Sequence, residues 1–127
     1  MATLLHPQFL QLRTSEYSKG TIGELSNCNW FYGNITEEQA EVELSLGGSN
    51  RFLVRHAAKT LILSFRLRGW RHHSVINYSP RGYCLEEKDR CFESITKMIE
   101  HYQKFPIDEA FPDQVLGIPC DKRFSGI

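Results

Sequence analysis

The sequence has no long apolar run and no secretory signal that we can identify. Its longest aliphatic run is Leu61-Ile62-Leu63, far short of the roughly 20 residues that a membrane-spanning helix needs. Residues 1–13 do not combine a basic start with a long apolar stretch, so we expect no signal peptide. We therefore predict a cytoplasmic protein without a transmembrane segment.

The sequence also lacks closely spaced cysteines. Cys28, Cys84, Cys91 and Cys120 are scattered, with no C-x-x-C pair. Disulfide frameworks show denser spacing, and structural zinc needs closely spaced ligand pairs. We therefore expect four reduced thiols, no metal and no other cofactor.

The chain has no excess of either charge. Its 15 basic residues balance its 15 acidic residues, which argues against binding to nucleic acid by bulk electrostatics. The length of 127 residues and the apolar fraction of 41% suit one domain with one ordinary core. We find no Ser/His/Asp arrangement, no G-x-G-x-x-G and no P-loop motif, so we do not expect an enzyme.

What is present is a pattern of two helices around several strands. Thr36 and Gln39 match a capping box, which predicts the start of a first helix, and the Gly-Gly pair at 47–48 ends it. Ser94 is the predicted N-cap of a second helix that ends before Pro106.

Between the helices, alternating apolar residues and turn signals predict strands at residues 51–56, 60–68, 70–77 and 83–85. A last edge strand at 115–120 is compatible with Pro119. The order predicts an α+β domain with a central antiparallel β-sheet flanked by two α-helices. We assign residues 1–29 to a partly flexible leader, 30–120 to the domain and 121–127 to a C-terminal tail.

Arg55 is the residue most suggestive of function. Side chains alternate along a strand, so Arg55 shares a face with Leu53 and becomes half-buried if Leu53 packs on the first helix. A desolvated guanidinium needs a partner that supplies charge and several acceptors. That partner is either a carboxylate such as Glu37 or Glu41, or a phosphate that arrives from outside.

The context of Arg55 resembles a known family. The motif at residues 30–33 (WFYG), the capped helix, the motif at residues 52–55 (FLVR), the histidine-containing strand and the helix at 92–102 follow in the order of a Src homology 2 (SH2) domain. The resemblance covers about residues 30–120. It implies a non-catalytic adaptor module that binds phosphotyrosine peptides in intracellular signalling.

The resemblance implies a phosphotyrosine site formed by Arg55, Lys59, Thr60 and His72. Arg55 matches the arginine that binds two phosphate oxygens. Lys59 and Thr60 lie in the loop that matches the phosphate-binding loop, and His72 matches the histidine of a following strand.

The resemblance also implies residues that determine which peptide sequences bind. His73 matches the position that often separates the phosphotyrosine pocket from the specificity pocket. Leu85, Glu86 and the rest of the loop to Arg90, with the segment after Phe105, match the walls that contact residues C-terminal to the phosphotyrosine.

Three habitual phosphate donors of the family are missing here. Glu37 replaces an arginine, Ala57 replaces a serine, and Ser74 replaces a lysine. Glu37 would repel a phosphate of charge about −1.5 to −2. Lys59, Arg66 and Arg71 remain as substitutes, although strand alternation places Arg71 opposite His72. We expect an atypical, weakened phosphate site centred on Arg55.

The expected partner is a tyrosine-phosphorylated protein or peptide, and we expect no binding of nucleic acid. We expect the module to be monomeric, either by itself or as part of a larger protein. Two alternatives stay open. The domain could bind an unphosphorylated protein, or the basic stretch Arg66–His73 could contact acidic lipid or RNA.

Overall fold

The computed structural model of the protein describes residues 20–85 and 90–125. Its elements in chain order are α1 (Thr21–Ser26), α2 (Glu37–Ser45), β1 (Phe52–Ala57), β2 (Thr60–Leu67), β3 (Trp70–Ser79), β4 (Gly82–Cys84), α3 (Ile95–Tyr102) and a 3₁₀-helix (Lys122–Phe124). The four strands form an antiparallel sheet in the order β1-β2-β3-β4. The predicted α+β fold class is confirmed. None of the described helices is long and apolar enough to cross a membrane.

Helix α2 begins where the sequence places its cap. The backbone N–H of Gln39 donates to Thr36 Oγ1 at 3.0 Å, and the backbone N–H of Thr36 donates to Gln39 Oε1 at 2.9 Å. The reciprocal bonds satisfy two of the backbone donors that a helix start leaves unpaired. The capping box therefore fixes the start of the helix that lies above Arg55.

The sheet separates two apolar clusters because successive side chains of each strand point to opposite faces. On the α3 side, Leu61, Leu63 and Phe65 of β2 pack in one cluster with the apolar face of α3. On the α2 side, Leu53 packs with a smaller set that is fully or almost fully buried: Ile35, Ala40, Leu44 and Cys120. The two helices therefore lie on opposite faces, and Arg55 shares the α2 face with Leu53.

The β2–β3 hairpin fixes which side chain of β3 faces which helix. Arg68 and Gly69 form its turn with positive φ values of 56° and 82°. The register pairs Ser64 with His73 and Phe65 with His72. Because paired residues point to the same face, His73 lies on the α2 face with Ser64. His72 lies on the α3 face, where its ring stacks on Phe65 with centroids 5.0 Å apart.

Part of the predicted leader packs on the domain. Leu25 of α1 is 2% exposed within the larger cluster, and Thr21 Oγ1 lies 2.6 Å from the hydroxyl of Tyr83 on β4. The predicted tail contributes as well, since the N–H of Lys122 donates to the carbonyl of Asn29 at 2.9 Å. Residues 1–19 of the leader and 126–127 of the tail lie outside the described residues.

The predicted last strand contributes isolated pairing only. Pro119 forms a single parallel bridge with Phe52, and the N–H of Cys120 donates to the carbonyl of Phe52 at 2.8 Å. Proline has no N–H to continue a ladder, so pairing stops at this edge.

Candidate functional site

Arg55 is buried beneath α2, with 4% of its surface exposed. Its Nε donates to Ser64 Oγ at 3.0 Å, and its Nη1 donates to the carbonyl of Ile35 at 3.4 Å. Its Nη2 lies 3.9 Å from Glu37 Oε1. The shortest of these contacts is the hydrogen bond from Nε to Ser64, whereas the contacts of Nη1 and Nη2 are longer. The geometry anchors the guanidinium at one end and leaves most of its donors for another acceptor.

A hydrogen-bond chain leads from Arg55 to the surface. Ser64 Oγ lies 2.8 Å from His73 Nδ1, and His73 Nε2 lies 2.9 Å from Glu41 Oε2. An arginine Nε only donates, so Ser64 accepts from Arg55 and has one proton to give to Nδ1. The neutral tautomer that completes this chain carries its proton on Nε2, where it donates to Glu41. The chain thus holds Arg55 and His73 in a defined orientation.

Glu41 lies at the exposed end of this chain, where its carboxylate is close to His73 and Arg71. Its carboxylate accepts from His73, and its Oε1 lies 3.7 Å from Arg71 Nε. The hydrogen bond from His73 is the largest cause that lowers the pKa of Glu41, and the charges of Arg71 and Arg55 lower it further. The position of this carboxylate therefore favours a negative charge.

The structure places His73, and not His72, on the face of the sheet that carries Arg55. His73, expected between two pockets, reaches Arg55 through Ser64. His72, expected beside the phosphate, lies on the opposite face and stacks on Phe65. The physical reason is the β2–β3 register, which the alternation of side chains within β3 does not determine.

The loop residues expected at the site, Lys59 and Thr60, lie at the turn between β1 and β2. Lys59 is exposed in the turn between β1 and β2. Thr60 Oγ1 donates to the carbonyl of Ala57 at 2.7 Å, which closes that turn locally.

The expected peptide-reading residues are described in part. Leu85 is 3% exposed and belongs to the larger apolar cluster. Its carbonyl accepts from Asn77 Nδ2 at 3.2 Å. Glu86 lies outside the described residues, as do positions 87–89 of the same loop.

A second concavity lies on the α3 face of the sheet. It is a cavity of about 410 Å³, and it is separated from Arg55 by the thickness of the sheet at His72 and His73. Its lining is mostly apolar: Phe65, Leu67, Arg68, Trp70, His72, Ile107, Asp108, Phe111 and Gln114. A cavity of this kind suits an apolar side chain better than a phosphate.

Three groups near Arg55 are also of the types that bind metals. Ligand atoms of Glu37, Glu41 and His73 lie within 4.8 Å of one another. However, Arg55 Nη2 and Arg71 Nε lie 3.9 and 3.7 Å from the two carboxylates. The positive charges of the two guanidinium groups oppose the binding of a cation at this position, so we assign no metal to it.

Sequence reasoning named Glu37 and Glu41 as possible partners of Arg55 but did not identify Ser64. The available signal was a polar residue within an apolar strand, between Leu63 and Phe65. A serine that is fully buried must find hydrogen-bond partners, and here these are Arg55 and His73.

Comparison with known proteins gives consistent matches. The family model described as SH2 domain matches residues 30–102. The solution structure of the VAV1 SH2 domain complexed with a tyrosine-phosphorylated peptide from SLP76 has a TM-score of 0.68 and 25% identity, and the match covers 84% of this chain and 80% of that chain.

Curated proteins match over similar regions. The SH2/SH3 adapter protein dreadlocks of Drosophila melanogaster is 29% identical over 87 residues, which is 65% of this chain and 16% of that protein. Suppressor of cytokine signaling 7 of Homo sapiens is 29% identical over 109 residues, which is 78% of this chain and 19% of that protein. The chain thus spans less than a fifth of each of these relatives.

Proposed function

Because the chain belongs to the SH2 domain family, we propose that it binds tyrosine-phosphorylated peptides and that Arg55 is the main phosphate ligand. The observation that carries the proposal is the burial of Arg55. Within residues 20–85 and 90–125 it is the one basic side chain that is buried. A buried cation needs strong acceptors, and its two Nη groups have only distant ones.

The same geometry supports an atypical phosphate site. Glu37 and Glu41 bring two carboxylates to the place where a phosphate of charge about −1.5 to −2 would bind. The phosphate has to displace or tolerate Glu37, whose side chain is 60% exposed and can move aside. We therefore propose phosphate-dependent binding that is weaker than a site with a cation at position 37 would give.

We further propose that the domain is a non-catalytic, monomeric adaptor module that acts in the cytoplasm on tyrosine-phosphorylated proteins. Support comes from the adapter protein among its relatives and from the phosphopeptide bound to the VAV1 SH2 domain. We propose that Leu85 and Glu86 contribute to peptide selectivity, whereas the position of His73 supports a role at the phosphate.

The alternative of a lipid or RNA surface at Arg66–His73 has less support. Arg71 and His73 lie on the α2 face. Arg68 stacks over Phe111 at 4.2 Å from the ring centroid, beside the cavity on the other face. The basic residues of this stretch are divided between two faces and form no single patch.

The test is a fluorescence-polarisation titration with a degenerate phosphotyrosine peptide pool and its unphosphorylated twin. We expect wild type to prefer the phosphorylated pool, and Arg55→Ala to lose about 2–5 kcal/mol of binding free energy, as for a truncated charge partner. Arg81→Ala is the matched control because Arg81 is exposed in the β3–β4 turn. Equal binding of the two pools by wild type would instead favour an unphosphorylated partner, and unchanged affinity of Arg55→Ala would exclude the proposed mechanism.

A further inference from the structure

We propose that Arg71 is the second phosphate-binding cation of this domain and that Glu41 holds it in the ligand-free protein. The proposal rests on the proposed function, because it assigns a further ligand to the same phosphate. It also explains how a site without the family's usual donors can retain a second positive charge.

Arg71 lies on the α2 face of the sheet. Residues two apart on a strand share a face, so Arg71 points to the same side of β3 as His73. The contact of Arg71 Nη1 with Ser45 Oγ on α2, at 3.3 Å, places the guanidinium on the α2 face. Arg71 therefore belongs to the side of the sheet that carries Arg55.

Glu41 occupies a position that is suited to an anion. Its carboxylate receives the His73 Nε2 contact at 2.9 Å and the Arg71 Nε contact at 3.7 Å. The charge of Arg55 also contributes to the lowered pKa of Glu41. One carboxylate thus sits among three groups that favour a negative charge, which is the environment that a phosphate requires.

Arg71 can exchange its partner at little cost in free energy because its ion pair with Glu41 is exposed. Its side chain is 47% exposed and that of Glu41 is 32% exposed, whereas the side chain of Arg55 is 5% exposed. Breaking an exposed ion pair loses little free energy because water solvates both charges. A phosphate carries more charge than the Glu41 carboxylate and can bind two nitrogen atoms of one guanidinium group.

The other cations near the site are less suited. Arg66 is the register partner of Arg71, but its Nη1 donates to the carbonyl of Leu44 at 3.4 Å, near the end of α2. That carbonyl belongs to the negative end of the helix dipole, which holds Arg66 in place. Lys59 is exposed in the β1–β2 turn.

The test compares four proteins in titrations with the phosphotyrosine peptide pool: wild type, Arg71→Gln, Glu41→Gln and the double variant. We expect Arg71→Gln to bind about tenfold more weakly, the worth of one charge-assisted hydrogen bond. Glu41→Gln should bind about three- to fivefold more tightly because Arg71 is released. The double variant should lose that gain in affinity. The control Arg81→Gln should bind the pool with wild-type affinity, because it removes the same charge from an exposed turn far from the proposed contact.

The outcomes separate this proposal from the function on which it rests. Loss of binding in Arg55→Ala, together with unchanged binding in Arg71→Gln, would overturn the role of Arg71 alone. A gain in Glu41→Gln that persists in the double variant would also overturn it, because the gain would not pass through Arg71. Equal binding of phosphorylated and unphosphorylated pools by wild type would overturn both proposals.

Discussion

Arg55 Nη2 faces Glu37 Oε1 at 3.9 Å, with 5% of the first side chain and 60% of the second exposed. The contact is too long for a strong hydrogen bond, so the interaction is mainly Coulombic. The buried Arg55 side chain is held in place, whereas the exposed Glu37 side chain can rotate away from it. Glu37 therefore acts on the site through its charge more than through its geometry.

Replacing Glu37 with arginine should strengthen phosphopeptide binding. The substitution removes a repelling carboxylate and adds a phosphate donor at the start of α2, and we expect affinity to rise about tenfold. Titration of the phosphotyrosine pool measures the change. Glu38→Arg is the matched control because Glu38 is the exposed neighbour on the same helix. Equal gains in the two variants would show that only the overall charge matters.

Stability should depend on pH through Glu41. Its pKa is lowered mainly by the hydrogen bond with His73, and additionally by Arg71. A carboxylate whose folded-state pKa is depressed stabilises the fold above its unfolded pKa, near 4.3, and loses that contribution as pH falls through the folded value. In urea titrations, Glu41→Gln should therefore lower the free energy of unfolding relative to wild type by more at pH 6 than at pH 3. If the loss of unfolding free energy were the same at both pH values, the ionised Glu41 carboxylate would not be its cause. Glu38→Gln serves as the control.

Gly82 should tolerate no side chain. Its φ is +114°, and a Cβ there would collide with the backbone carbonyl oxygen of Phe92, which accepts from the N–H of Tyr83 at 2.8 Å. We expect Gly82→Ala to lower the free energy of unfolding by about 2 kcal/mol or more. Gly48 has open space around it, so Gly48→Ala should leave stability unchanged or raise it by up to about 1 kcal/mol. Similar values for the two variants would disprove the steric argument.

The helices and strands follow closely from local sequence. The Thr36 capping box and the Ser94 cap begin α2 and α3 where predicted, because caps act through backbone groups only a few residues away. The alternation of Leu61, Leu63 and Phe65 likewise predicts the buried face of β2. Helix α1, within residues 20–29, is harder to predict from the sequence because its six residues give only a weak periodic pattern. The packing of Leu25 against the larger apolar cluster stabilises it instead.

The sequence by itself determined the order of the elements, the fold class and the placement of Arg55 on one face with Leu53, since each depends on local pattern and strand alternation. Only the tertiary structure decided that His73 rather than His72 reaches Arg55, and that Glu41 joins His73 to Arg71. The alternation of side chains along a strand predicts that neighbouring side chains point to opposite faces, but it does not predict which of the two faces α2. The pairing of Ser64 with His73 makes that choice, because a shift of one residue in register would exchange the two faces of β3.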